Sequence, residues 1–89
     1  MKASAQFEIL NKLGLHARAA AQLVQIASTF NADLTVSVDG QTVNGKSIMG
    51  LMLLGAARGA RVEVEAAGDD AEALLAAVST LIEGRFNEE

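Results

Sequence analysis

The apolar residues of this chain alternate between two spacings, and this alternation constrains the fold more than any other feature. A spacing of two residues predicts strands in "AQFEIL", "DLTVSV" and "ARVEVEA", and Asp39-Gly40 predicts a type I′ hairpin turn into a further strand at "QTV". A spacing of three and four residues predicts helices that begin at Ala17, after Ser47 and after Asp69. The predicted order of elements is therefore β-α-β-β-α-β-α.

Each predicted strand has apolar side chains on one face only, so all the covering helices must lie on the same side of the sheet. We therefore expect an α+β fold, an open-faced β-sandwich in which a four-stranded antiparallel sheet carries three helices on one face. The order of the strands cannot be read from periodicity. No linker, repeat or low-complexity tract interrupts the chain, and residues 1–89 are interpreted as a single domain.

The same spacing predicts which side of each helix is buried. The first helix is expected to turn a row of apolar residues inward, namely Ala20, Leu23, Val24, Ala27 and Phe30. Ser47 is expected to cap the short second helix, in which Ile48, Leu51 and Met52 are predicted to share one face. For the last helix, Asp69 and Glu72 resemble a capping box and Gly84 is the expected stop; its predicted inward residues are Ala71, Leu74, Leu75, Val78, Leu81 and Ile82.

The composition excludes several kinds of functional site. Because the chain has no cysteine and one histidine, we expect no metal site and predict no cofactor. No signal-peptide pattern follows Met1, and the longest apolar run, "IMGLMLLGAA", is too short to cross a bilayer, which predicts a cytoplasmic protein without membrane insertion. The net charge of −4 and the scarcity of aromatic residues argue against a nucleic-acid partner.

The charges are unevenly distributed along the chain. Residues 63–89 carry eight acidic side chains and one basic one, whereas residues 9–62 carry five basic and two acidic ones. An anion would bind in the first part if Lys12, Arg18 and Lys46 converge in space. The acidic tail "NEE" is interpreted as a solvated terminus whose carboxylates are able to reach Arg18.

The single histidine, His16, lies in "GLHARAAAQLV", immediately before the first predicted helix. A lone histidine in such a place is more often a surface or capping residue than a reactive one. Here, however, the free N–H groups and the positive dipole end of the helix lie next to the ring and favour an anion. Arg18 adds a permanent cation suited to phosphate oxygens, and Gly14 permits a backbone angle that turns the imidazole outward. These features favour a histidine that carries a phosphoryl group, since neutral imidazole is a nucleophile at cellular pH.

Two segments carry a resemblance to a known family. "NKLGLHARAAAQLV" is similar to the histidine site of HPr, the phosphocarrier of the bacterial phosphoenolpyruvate-dependent phosphotransferase system, and "GKSIMGLMLLG" resembles the second site of that family. The resemblance covers essentially the whole chain. It implies that His16 receives a phosphoryl group on Nδ1 from enzyme I, that Arg18 attends the phosphohistidine, and that the group passes to an enzyme IIA domain. The protein would then be a carrier and not a free-standing enzyme.

The resemblance also implies roles for the second segment. Ser47 would be the target of the ATP-dependent HPr kinase/phosphorylase, in addition to its role as a helix cap. Ile48, Met49 and Met52 would dock partner proteins, with Lys12, Arg18 and Lys46 around them. Burial under a neighbouring loop is the alternative for Met49 and Leu53, which lie off the face shared by Ile48, Leu51 and Met52.

One departure and two alternatives accompany this interpretation. The family usually has proline where this chain has Ala19; we expect helix entry to survive, with an effect on the rate of transfer more than on transfer itself. The first alternative is the phosphocarrier of the nitrogen-related phosphotransferase system, which shares the "NKLG" approach to its histidine. The second is a regulatory interaction module in which His16 is inert.

Overall fold

A computed structural model describes residues 1–88 and contains all seven predicted elements in the predicted order. They are β1 (Lys2–Glu8), α1 (Ala17–Ala27), β2 (Asp33–Val38), β3 (Gln41–Asn44), α2 (Ile48–Leu54), β4 (Arg61–Ala67) and α3 (Ala71–Glu83). A 3₁₀ turn at Arg85–Asn87, which the periodicity did not predict, follows α3.

The four strands form one antiparallel sheet in the order β1-β4-β2-β3. Val64 of the central strand β4 pairs with Ala5 of β1 on one side and with Val36 of β2 on the other. Leu34 and Val36 of β2 and the inward side chains of β4 are buried, whereas their neighbours along the strands are exposed or half-buried, so one face of the sheet holds the core. The predicted fold class, an open-faced β-sandwich, is confirmed, and the structure supplies the strand order.

The hairpin between β2 and β3 forms at the predicted turn. Asp39 and Gly40 both have positive φ angles, 52° and 83°, as the two central residues of a type I′ turn require. Val38 and Gln41 pair directly on either side of the turn.

Several predictions of burial and capping are wrong in detail. On the shared face of α2 only Leu51 is buried, whereas Ile48 and Met52 are 41% and 46% exposed. Leu54 of the same helix is partly buried against the core. The last residue of α1 is Ala27, so Phe30 lies beyond the helix, and its side chain is half-buried. In α3, Leu75 is half-buried, whereas the other predicted inward residues are buried.

The predicted capping box at α3 does not form. Asp70 is the N-cap residue but makes no cap hydrogen bond with its side chain. Its carboxylate instead accepts hydrogen bonds from the N–H groups of Asn31, at 2.9 Å, and Ala32, at 2.7 Å, and so fastens the start of α3 to the segment before β2. These hydrogen bonds, that from Asn31 first, hold the pKa of Asp70 below its ordinary value.

The chain after α3 turns back on itself. Gly84 ends the helix as predicted, and Arg85, Phe86 and Asn87 then adopt positive φ angles of 58°, 53° and 63°. This left-handed conformation is unfavourable for residues with a side chain, at about 1–2 kcal/mol each. Phe86 is 1% exposed, and the burial of its ring opposes that cost. The segment therefore ends packed against the core, with Glu88 directed toward α1.

The loop between β1 and α1 is tied to the loop between α2 and β4. Leu15 N–H donates to the Ala56 carbonyl at 2.9 Å, and Ile9 N–H donates to the Ala60 carbonyl at 2.9 Å. Gly14 lies against Ala56 with a φ of +66°, and a Cβ at this position would be 2.4 Å from the Ala56 carbonyl oxygen. The close approach of the two loops therefore requires glycine at position 14, two residues before His16.

We expect Gly14→Ala to lower the free energy of unfolding more than Gly40→Ala does. Both glycines have positive φ angles, but the space around Gly40 is open whereas Gly14 faces the Ala56 carbonyl. Gly40→Ala should cost about 1–2 kcal/mol, the penalty of the left-handed conformation, and Gly14→Ala should add the cost of moving the two loops apart. Urea unfolding of both variants measures the difference, and equal losses of stability would show that the close approach does not constrain the loop.

Candidate functional site

His16 caps the first helix with its own side chain. Its backbone is extended, with φ −75° and ψ 178°, and its carbonyl accepts the first helical hydrogen bond from Ala20 N–H at 2.9 Å. The ring nitrogen Nδ1 accepts a hydrogen bond of 3.3 Å from Arg18 N–H. The helix therefore presents its positive end and a backbone donor directly to Nδ1. The helix begins at Ala17, with alanine at position 19, so helix entry does not need a proline there.

The other ring nitrogen of His16 faces the C-terminal segment. Nε2 lies 2.6 Å from Glu88 Oε2, and the side chains of His16 and Glu88 are 26% and 18% exposed. Asn11 Nδ2 donates to the same carboxylate oxygen at 2.9 Å. The prediction that the tail reaches Arg18 is therefore wrong for Glu88, because the left-handed turn directs its carboxylate to His16 and Asn11. Glu89 lies outside the described residues.

These contacts determine which nitrogen of the neutral ring carries the proton. An ionised carboxylate can only accept hydrogen bonds, so Nε2 must be the donor to Glu88. Arg18 N–H can only donate, so Nδ1 must offer its lone pair. Both neighbours favour the same tautomer, in which Nδ1 carries no proton and its lone pair can act as the nucleophile.

Asn11 is a site residue that sequence reasoning missed. It is 1% exposed, and its Nδ2 donates to the Gly14 carbonyl at 2.7 Å as well as to Glu88. Its Oδ1 has no hydrogen-bond partner within residues 1–88. The signal in the sequence was a polar residue directly after the apolar pair Ile9–Leu10 and shortly before Gly14. This asparagine belongs to the motif "NKLG", but the motif alone does not indicate its role.

The carboxylate of Glu88 is held as an anion. The hydrogen bond from His16 contributes most, followed by that from Asn11 and a backbone hydrogen bond at Leu13, and together they hold the pKa of Glu88 below its ordinary value. The tail was expected to be solvated, but Glu88 is half-buried because its carboxylate accepts hydrogen bonds from His16 and Asn11.

The three predicted basic residues do not converge on one point. Arg18 lies on α1 and Lys12 on the loop before it, and both side chains are exposed. Neither residue forms an ion pair within the part of the chain that the structure describes. Lys46 Nζ instead donates to the Phe30 carbonyl at 2.9 Å, beyond the C-terminal end of α1. A helix of eleven residues separates that point from His16 by about 16 Å, so Lys46 does not contribute to an anion site at the histidine.

Ser47 occupies its predicted cap position. Its Oγ accepts a hydrogen bond of 3.0 Å from Gly50 N–H, and the residue is half-buried at the start of α2. The next residues form an exposed apolar patch on α2, which we define as Ile48, Met49, Met52 and Leu53. Met49 and Leu53 are 74% and 73% exposed, so burial under a loop is the wrong alternative for them. Leu13, on the loop before His16, is also exposed, at 65%.

Two further observations concern membrane-spanning helices and metal ligands. Across residues 1–88, none of the helices is both long and apolar enough to span a membrane. Within the same range, no group of three or more histidine, cysteine or acidic residues is placed to hold a metal ion.

The chain is similar to known proteins in both sequence and structure. The family described as "PTS HPr component phosphorylation site" matches residues 3–84. The chain is 49% identical over 84 residues to the phosphocarrier protein HPr of Xylella fastidiosa, covering 94% of each chain. It is also 38% identical over 87 residues to the phosphocarrier protein NPr of Shewanella violacea, covering 98% of this chain and 96% of that one. Its structure resembles that of HPr from Thermoanaerobacter tengcongensis, with a TM-score of 0.94, 48% identity and 98% of each chain covered.

The lowered pKa of Glu88 predicts how its contacts depend on pH. Because the folded protein binds the Glu88 proton less readily than the unfolded chain does, ionised Glu88 stabilises the fold at pH values above its ordinary pKa of 4.5. That contribution should disappear as the pH falls from this value through the lowered pKa. We therefore expect the stability difference between the wild-type protein and Glu88→Gln, measured by urea unfolding, to be largest near neutral pH and to vanish in acid.

Glu83→Gln is the control, because Glu83 is exposed at the end of α3 and carries the same charge. A difference that persists unchanged into acid, or that Glu83→Gln reproduces, would contradict the assignment of the lowered pKa to the contacts of Glu88.

Proposed function

Because the chain belongs to the HPr family of phosphocarrier proteins, we propose that it carries a phosphoryl group on Nδ1 of His16. The observation that supports this most strongly is the environment of the imidazole, whose Nδ1 lone pair faces the N-terminal end of α1 while Nε2 holds the proton. A nucleophile at a helix N-terminus is already next to donors for the anion that it acquires.

The atoms around Nδ1 fit the capture and release of a phosphoryl group. After transfer, the phosphoryl oxygens would replace Nδ1 as acceptors for Arg18 N–H. The exposed Arg18 side chain can turn its guanidinium toward the same oxygens. Ala19 N–H is a further donor in the first helical turn, one that proline would lack, so Ala19 would affect the rate of transfer by adding a hydrogen bond to the phosphorylated state.

We propose that His16 is phosphorylated by enzyme I, with phosphoenolpyruvate as the ultimate donor, and that it passes the group to enzyme IIA domains. Both partners would dock on the apolar patch through Ile48, Met49 and Met52, all of which are exposed. Flexible methionine side chains suit a surface that must fit more than one partner. Lys12 precedes His16 in the chain, and Lys46 precedes Ser47. Both lysines would form ion pairs with acidic side chains of the partner at the edge of the docking surface.

We also propose Ser47 as a regulatory phosphorylation site for an ATP-dependent HPr kinase/phosphorylase. Its hydroxyl lies at the N-terminus of α2, where an added phosphate is tolerated by the helix end. The modification would place about −1.5 to −2 charges beside the apolar patch and weaken docking with enzyme I.

A second candidate is a phosphocarrier of the nitrogen-related phosphotransferase system, favoured by the similarity to NPr of Shewanella violacea. It would use the same histidine chemistry with a different set of partners. The higher identity to HPr of Xylella fastidiosa supports the sugar-related system as the first candidate.

Incubation with enzyme I and phosphoenolpyruvate should add one acid-labile phosphoryl group to the wild-type protein and none to His16→Ala. Ser47→Ala should be modified like the wild type, because its hydroxyl caps α2 and plays no part in the transfer. Intact-mass measurement before and after acid treatment checks the result. Labelling of the His16→Ala protein would show that the site is elsewhere, and no labelling of the wild type would favour an inert interaction module.

Incubation with HPr kinase and ATP should add an acid-stable phosphate to Ser47 and raise the KM of enzyme I for the modified protein. The physical reason is the new charge beside the apolar patch, so the unmodified Ser47→Ala protein should keep the ordinary KM. Absence of phosphate uptake while a known substrate is modified in parallel would remove the regulatory assignment.

A further inference from the structure

We propose that Glu88 is a positioning residue for phosphoryl transfer at His16: its carboxylate holds the proton on Nε2 and thereby keeps Nδ1 as the nucleophile. The inference rests on the proposed function and assigns a part in it to the C-terminal segment. Glu88 does not touch the transferred group. It would act only through the imidazole.

The carboxylate is well placed to fix the ring. Glu88 Oε2 lies 2.6 Å from His16 Nε2 and also accepts from Asn11 Nδ2 at 2.9 Å, so two donors converge on one oxygen. Asn11 is in turn fixed by its hydrogen bond to the Gly14 carbonyl at 2.7 Å. Both ring nitrogens of His16 are therefore engaged by groups that agree on the tautomer.

The chain after α3 is built to bring Glu88 to this point. Phe86 is buried in the core, and Asn87 Nδ2 donates to Gln22 Oε1 of α1 at 3.2 Å. Arg85, Phe86 and Asn87 form the left-handed turn. Its conformational cost is opposed by the burial of Phe86 and by the hydrogen bonds of Asn87 and Glu88. Glu88 therefore approaches the histidine from the side of Nε2.

The transfer step gives this arrangement a chemical consequence. The Nδ1 lone pair forms a bond to phosphorus while the bond from phosphorus to the donor breaks, and that electron pair leaves with the donor. No proton has to leave Nδ1, because the tautomer carries none there. Nε2 keeps its proton throughout, so the ring gains positive charge as the new bond forms, and the nearby carboxylate stabilises that charge, as the aspartate of a catalytic triad stabilises an imidazolium. Transfer of the phosphoryl group from His16 to the acceptor protein reverses each of these changes at the ring.

Glu88 would not block the site that it supports. Its carboxylate bonds to Nε2, whereas the phosphoryl group would be added at Nδ1, which points instead to the helix N-terminus. An autoinhibitory tail would have to occupy the space in front of Nδ1. Removal of Glu88 should therefore slow phosphorylation and not accelerate it.

Three variants separate the hydrogen bond from the charge. Glu88→Ala removes both, Glu88→Gln keeps an oxygen acceptor without the charge, and Glu83→Gln removes the same charge from an exposed position at the end of α3. At about pH 8, where an ordinary imidazole is neutral, nitrogen-15 NMR of the histidine should show a proton on Nε2 that exchanges slowly with water. We expect this signal to be lost in Glu88→Ala and retained in Glu88→Gln and Glu83→Gln.

The initial rate of phosphorylation by enzyme I should fall by about tenfold in Glu88→Ala, the lower end for loss of a charge-assisted hydrogen bond at a partly exposed site. It should fall less in Glu88→Gln, which keeps the hydrogen bond and the tautomer but lacks the charge. The rate of Glu83→Gln should match the wild type. A slowly exchanging Nε2 proton that survives in Glu88→Ala, or equal rates for Glu88→Ala and Glu83→Gln, would overturn the proposal. If the wild type itself accepts no phosphoryl group, the proposed function fails, whereas the NMR comparison separately decides whether Glu88 fixes the tautomer.

Discussion

The fold depends on the single apolar face of its sheet. Because nearly all the inward residues of β2 and β4 are buried and most of the outward ones are polar, the helices have one side on which to pack. The loops before and after these helices then lie near the helix ends. The loop that carries Asn11 and Gly14, the first turn of α1 and the segment after α3 come together there. The histidine site is therefore a consequence of how a one-sided sheet is covered.

Much of this arrangement follows from local sequence, and the rest depends on long-range contacts. Alternating residues predicted the strands, Asp39-Gly40 predicted the hairpin, and Ser47 predicted the cap of α2, because each signal lies within a few neighbouring residues. The strand order did not follow, because periodicity says which face is buried and not which strand is adjacent. Asp70 likewise has the residue type of a cap, but its carboxylate bonds across the fold to Asn31 and Ala32.

The candidate site divides in the same way. His16, its position before α1 and the helix end beside it were visible in eleven residues of sequence. Asn11 and Glu88 were not, because 77 residues separate them and the hydrogen bond between them depends on the turn after α3. The buried Phe86 that anchors this turn has no periodic signal, since it follows the stop at Gly84. Lys46 shows the opposite case, a basic residue whose sequence position suggested convergence on His16 but whose ammonium group bonds to the Phe30 carbonyl.

The central claim is that the two nitrogens of one imidazole have different tasks, Nδ1 to bind phosphorus and Nε2 to keep its proton. The most direct measurement is NMR of protein with nitrogen-15 histidine after phosphorylation by enzyme I and phosphoenolpyruvate. The account predicts a nitrogen–phosphorus coupling at Nδ1 of His16, with a proton still bound to Nε2. A coupling at Nε2, or a phosphorylated ring without that proton, would contradict it.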